Sequence, residues 1–150
     1  MGQKVNPKVI RLGITHDWDS KWYAGKGSYK KLFHQDLAVE KAIMEKLPET
    51  EGVSKIEIMR TQGKVIINIH TSKPGLIIGR GGEVIEKLKD QLNQAFKESF
   101  AINIKEIKKP MLDARVVADS IARQVAKRIS YRRAAKMSLE KIMESGAIGA

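Results

Sequence analysis

Lys73-Pro-Gly-Leu-Ile-Ile-Gly-Arg-Gly-Gly-Glu-Val-Ile, residues 73 to 85, is the stretch on which the reading of this chain turns. A short apolar helix start, Pro74 to Ile78, runs into Gly79-Arg80-Gly81-Gly82, and a second helix follows. Glycines at both ends of a four-residue loop let two helix ends come close to a third body. The helix beginning near Gly82 aims unpaired N–H groups and a positive dipole end at that body, and Arg80 adds a fixed charge. A phosphate or a nucleic-acid backbone fits such a corner. Two other phosphate-binding patterns fail. A Walker loop needs Gly-Lys-Ser/Thr, but Gly82 is followed by Glu83, and a dinucleotide fingerprint starting at Gly79 meets Val84 at its sixth position. As a bare motif the loop also reads as simple helix packing, so its surroundings decide.

Those surroundings form one unit. Residues 28–47 have helical spacing, with Ser28 as N-cap, Phe33, Leu37, Ile43, Met44 and Leu47 on one side, and Pro48 as the stop. Met44 reads as core filler. Residues 53–60 and 64–71 alternate as strands, Ile56 and Ile58 in one, Val65, Ile67 and Ile69 in the other. Thr61-Gln62-Gly63 between them signals an antiparallel hairpin. His70 is expected at a strand end facing solvent. After the loop, Ile85, Leu88, Leu92, Ala95 and Phe96 make a helical stripe, then Ile102 and Ile104 a third strand, and Pro110 closes the unit. The order α-β-β-α-α-β, a three-stranded sheet with helices on one face, predicts an α+β module that can bury a core. In that setting the glycine loop matches an RNA-binding module.

Two further segments flank it. Residues 1–27 hold Pro7, Gly2, Gly13, Gly25, Gly27, Trp18, Trp22 and Tyr23 without a steady period, and Lys4, Lys8, Arg11, Lys21 and Lys26 make the segment basic. It reads either as an arm packed partly on the domain or as one that orders against RNA or a neighbouring protein, rings on bases and lysines on phosphates. Residues 112–145 read as a helical pair with a break at Ser130-Tyr131. Asp113 is the N-cap, Ala114, Val117, Ile121, Val125 and Ile129 form one buried stripe, Ala135, Leu139, Ile142 and Met143 a second, and Gly146 is the stop. Arg132, Arg133 and Lys136 share a sector roughly 100° wide. From Lys105 to Lys141 there are eleven Lys or Arg against four Asp or Glu, so this sector has few acids to balance it and suits a surface that grips phosphates.

The chain has 150 residues, and its formal net charge of +11 points to a polyanionic partner, nucleic acid before membrane. No apolar run approaches the roughly 20 residues that span a bilayer, the first residues lack a hydrophobic signal core, and no helix pairs a large apolar face with flanking aromatics. A cytoplasmic protein without a membrane role is expected. Cysteine is absent, and His16, His34 and His70 have no metal-ligand spacing, so the expectation is no catalytic site, no metal and no cofactor.

Gly75-Leu-Ile-Ile-Gly-Arg-Gly-Gly-Glu-Val-Ile resembles the Gly-x-x-Gly signature of a KH domain, of type II topology given the helix-strand-strand start. Gly2-Gln-Lys-Val-Asn-Pro, Arg11-Leu-Gly-Ile-Thr and Trp18-Asp-Ser-Lys-Trp-Tyr-Ala resemble the opening of the bacterial small-subunit ribosomal protein S-three family, and Tyr131-Arg-Arg-Ala-Ala-Lys its basic helix. The likeness runs over essentially the whole chain. It implies a structural protein of the small-subunit head, not an enzyme, with partners in small-subunit ribosomal RNA, messenger RNA and neighbouring head proteins. On this reading Lys4, Lys8, Arg11 and Trp22 of the arm (1–27) meet ribosomal RNA. Gly79, Arg80, Gly81 and Gly82 form the RNA-binding loop of the KH unit (28–110). Arg132, Arg133 and Lys136 face the messenger entry channel. Residues 111–150 are the helical start of a truncated C-terminal domain, since the family continues into further sheet structure. The pair is therefore expected to leave an apolar face open. A free-standing KH-type RNA chaperone or assembly factor is the alternative.

Overall fold

Asn6 and Pro7 open the first helical turn, α1 (Pro7–Arg11): the Asn6 side chain accepts from the Lys8 N–H at 2.9 Å, and proline at the first position has its φ already set. The computed structural model describes residues 2–47, 52–61 and 63–149, and for Arg80 the backbone only. Past α1 the arm lays a short strand, β1 (Ser20–Lys21), beside the sheet.

α2 (Lys26–Lys46) starts after Gly25, two residues ahead of the expected start. Ser28 is therefore not its cap. From inside the first turn its hydroxyl donates to the Gly25 carbonyl at 3.2 Å. The buried stripe also differs from the expected one. Asp36, Val39, Ile43 and Leu47 face the sheet, Met44 packs beside them, and Phe33 and Leu37 stand 43% and 47% exposed. The reason is Asp36. A carboxylate on the true inner stripe hides that stripe from a hydrophobic pattern, and Arg60 and Trp22 supply its partners. The expected stop at Pro48 and the loop residue Gln62 lie outside the described residues.

β2 (Val53–Thr61) and β3 (Lys64–Thr71) pair antiparallel as expected, with Ile56 opposite Ile69 and Ile58 opposite Ile67. β3 leads into α3 (Pro74–Ile78), a helical turn at Arg80–Gly82, α4 (Glu83–Phe96) and β4 (Ser99–Glu106). β4 lies parallel to β3, so the α3–α4 segment serves as the crossover that parallel strands require. Leu88 and Leu92 of α4, Ile77 of α3 and Val39 and Ile43 of α2 close over Ile58, Val65, Ile67, Ile69 and Phe100. Ala95, expected in the α4 stripe, is exposed. The sheet order is β1-β2-β3-β4, one strand more than expected, because the arm adds β1 in parallel to the free edge of β2.

Asp113 caps α5 (Ala114–Ala126) as expected, accepting from the N–H groups of Arg115 and Val116 at 3.0 and 3.2 Å. It also receives the Ser54 hydroxyl, which ties α5 to the start of β2. α6 (Tyr131–Glu144) packs against α5 and ends at Gly146, φ +96°, where the N–H groups of Gly146 and Ala147 bond to the Met143 and Ile142 carbonyls. The expected buried stripes hold only in part. Val117 is buried, but the other buried positions are Val116, Ala134 and Ser138, while Val125, Ile129, Leu139 and Met143 stand in solvent. Both helices thus carry exposed apolar side chains.

Candidate nucleic-acid interface

The glycine loop is built by backbone geometry. Gly79, Gly81 and Gly82 have φ of +72°, +64° and +87°, a region that L side chains rarely enter. At Gly79 a Cβ would also lie 2.5 Å from Val84 Cγ2, so glycine here lets the end of α3 close onto the first turn of α4. Gly82 caps α4 without a side-chain hydrogen bond, which leaves the first-turn N–H groups to other acceptors. Glu83 and Glu86 occupy that turn, and Glu83 meets Lys87 at 3.4 Å, so the dipole is partly answered by the helix's own carboxylates.

Two lysines of the arm are paired with carboxylates of the arm itself. Lys8 Nζ is 2.6 Å from Asp19, and Lys21 is hydrogen-bonded to Asp17; that bond holds the Asp17 carboxyl below its usual range and raises the Lys21 ammonium. Lys4 and Arg11 are exposed. Trp22 is half-buried, and its indole N–H donates to Asp36 at 2.6 Å. Asp36 in turn accepts from Arg60 Nη2 at 2.5 Å, and Arg60 reaches Glu98 at 2.9 Å. This chain of charges locks the arm to α2, β2 and the start of β4. Sequence reading missed it, because Arg60 falls at a strand position that alternation alone assigns to the core.

On α6, Arg132, Arg133 and Lys136 are all exposed, as side chains one to four residues apart on the outer surface. Arg132 Nε donates to the Tyr131 hydroxyl at 3.1 Å with its guanidinium 5.7 Å from that ring, which orients it. The three sequence-predicted surfaces sit on different elements: the sheet-edge arm, the α3–α4 turn and α6.

The face of the sheet turned away from the core helices carries a polar cluster beside Met59, Ile66 and Ala101. Asn103 donates to Asn68 at 3.1 Å. Glu57 is 8% exposed and lies 2.5 Å from Lys55, 3.2 Å from His70 and 3.6 Å from Lys105. Burial pushes the Glu57 carboxyl up, but the hydrogen-bonded Lys55 and the neighbouring His70 outweigh burial and hold it at about 2. His70 therefore does not face solvent as expected; it turns to the carboxylate that the hairpin register places on the neighbouring strand.

Among the described residues no cluster of His, Asp and Glu is arranged to hold a metal ion, and no helix is long and apolar enough to cross a membrane.

A model of the KH domain family matches residues 38–112, which contain the glycine loop and both of its helices. Along 99% of its length the chain is 51% identical to small ribosomal subunit protein uS3 of Lactobacillus helveticus, of which it covers 66%. It is 48% identical to the uS3 proteins of Syntrophomonas wolfei and Streptococcus thermophilus, covering 65% and 68% of them. The chain thus spans about two thirds of the length of these curated relatives.

Proposed function

The chain belongs to the family of small ribosomal subunit protein uS3, and from that premise we propose that it is a structural constituent of the small ribosomal subunit that binds ribosomal RNA in the subunit head. The observation that carries this is likeness at about half of all positions over 99% of the chain, with a KH domain spanning the glycine loop. Its work is binding and scaffolding. The positive-φ glycines give the backbone of the loop close access to a sugar-phosphate chain, and the surplus of Lys and Arg supplies the affinity.

The division of labour is part of the proposal. The arm, 1–27, presents Lys4, Lys8, Arg11 and Trp22 to ribosomal RNA. The KH unit, 28–110, presents Gly79 to Gly82. The helical pair, 111–150, presents Arg132, Arg133 and Lys136 to messenger RNA at the entry channel, alongside neighbouring head proteins and in the cytoplasm. Exposure of all three α6 cations supports this, since guanidinium and ammonium groups at helical spacing meet successive phosphates.

Replacing Arg132, Arg133 and Lys136 with Ala tests the assignment. Ribosomes carrying that variant should slow on message with stable hairpins more than on open message, because the lost grip matters most where strands must be parted. Equal slowing on both would assign the cluster to ribosomal RNA.

A further inference from the structure

We propose that Tyr29 and Phe33 of α2, together with Trp22 of the arm, form a platform on which unpaired RNA bases stack, separate from the glycine loop. The proposal rests on the reading that the chain binds RNA and adds a site to it. Trp22 and Tyr29 have ring centroids 5.4 Å apart, tilted by 42°, and Tyr29 and Phe33 lie parallel within 6° at 6.1 Å. The two α2 rings of the row are in water. Tyr29 is 53% and Phe33 43% exposed, because α2 turns its other stripe to the sheet. It borders a cleft of about 400 Å³ whose other wall includes Lys8, Leu12 and Trp18.

Three features select an RNA base as occupant. The first is rigidity. Trp22 is pinned through its N–H to Asp36, which Arg60 holds, so one end of the row is fixed before a ligand arrives. The second is charge. Asp17 and Asp19 at the rim are each paired with a lysine, while Lys26 and Lys30 stand exposed three residues before Tyr29 and Phe33, outside every ion pair among the described residues. On a helix that spacing sets each ammonium beside its ring. The third is chemistry. Flat faces flanked by lysines accept a base and its phosphate together, whatever the base. A purely apolar protein segment would use the rings but leave the cations without a counterpart.

The chain's only two tryptophans, Trp18 and Trp22, both line this cleft, so intrinsic fluorescence reports on it directly. The full chain is titrated with a short single-stranded oligoadenylate and with an abasic strand of equal length and charge. Oligoadenylate should quench tryptophan emission and bind on the order of tenfold more tightly than the abasic strand. Tyr29→Leu with Phe33→Leu, which keeps apolar bulk and removes the rings, should abolish most of that preference while salt-sensitive binding remains. Circular dichroism checks the fold, and Phe33→Leu alone gives the same reading at smaller amplitude. Gly81→Asp should weaken overall binding of both strands but keep the preference for oligoadenylate and the quench at saturation, which separates this site from the loop. Equal binding of the two strands, or an undiminished preference in the leucine variants, overturns the proposal. Quenching by an apolar helical peptide instead of RNA would give the cleft to a protein neighbour. Binding of neither strand would instead overturn the RNA-binding reading beneath it.

Discussion

At Gly79 two constraints coincide: φ of +72° and a missing Cβ that would meet Val84 Cγ2 at 2.5 Å. Gly79→Ala must therefore strain the backbone and push α4 away from α3, at a cost of about 2 kcal/mol in unfolding free energy. Gly81 differs. Its φ is +64°, but a Cβ there meets open space, and Asp visits this region, so Gly81→Asp costs about 1 kcal/mol. Urea denaturation should rank Gly79→Ala as the less stable, while RNA binding should fall in Gly81→Asp, where a carboxylate faces the phosphates. Glu57 makes a second residue-scale case. Its carboxyl is held at about 2, below the usual 4.5, so its contribution is complete above pH 4.5 and is lost as pH falls towards 2, where the unfolded chain takes up the proton first. Allowing for water around the half-exposed Lys55, the effect is about 2 kcal/mol. Acid titration of stability should show this limb in the native chain and a flatter one in Glu57→Gln.

Among the elements, α2 and α5 mark where sequence and structure part. The hairpin, the α4 stripe, the Asp113 cap and the Gly146 stop were legible because each follows from local chemistry: alternation, helical period, a short acceptor side chain, a positive φ. α2 carries two apolar stripes, and a pattern of hydrophobicity favours Phe33 and Leu37 over a stripe containing Asp36. Only the partner Arg60, 24 residues along, resolves the choice. α5 ends at Ala126 by a motif usually built on glycine but here on Arg128, φ +65°, with the Arg128 and Ile129 N–H groups on the Val125 and Gln124 carbonyls. Arginine gives no sign of such an end, so Ile129 read as part of the stripe. Arg128→Gly should relieve the left-handed strain and stabilise the chain by about 0.5–1 kcal/mol, roughly 1–4 °C in melting temperature for this size. A fall in melting temperature would mean that the Arg128 side chain supports the turn in a way its backbone does not reveal.

For the molecule as a whole, the fold was legible and the anchoring of the arm was not. Order of elements and net charge predicted an α+β, RNA-directed module, and the structure adds how the arm is secured: β1 completes the sheet edge and Trp22 joins the Asp36–Arg60–Glu98 network. That anchoring lies in long-range pairs, which periodicity cannot show. The glycine loop that organises the domain occupies only one of several basic or aromatic surfaces, so affinity for RNA should be shared among the arm, the loop and α6. The most direct test is residue-resolved crosslinking of the chain in small subunits purified through a high-salt wash. The chain should stay with the particle and crosslink to ribosomal RNA from both the arm and residues 79–82. Recovery only in the free pool, or retention without an RNA crosslink from either segment, would contradict a structural, RNA-binding role.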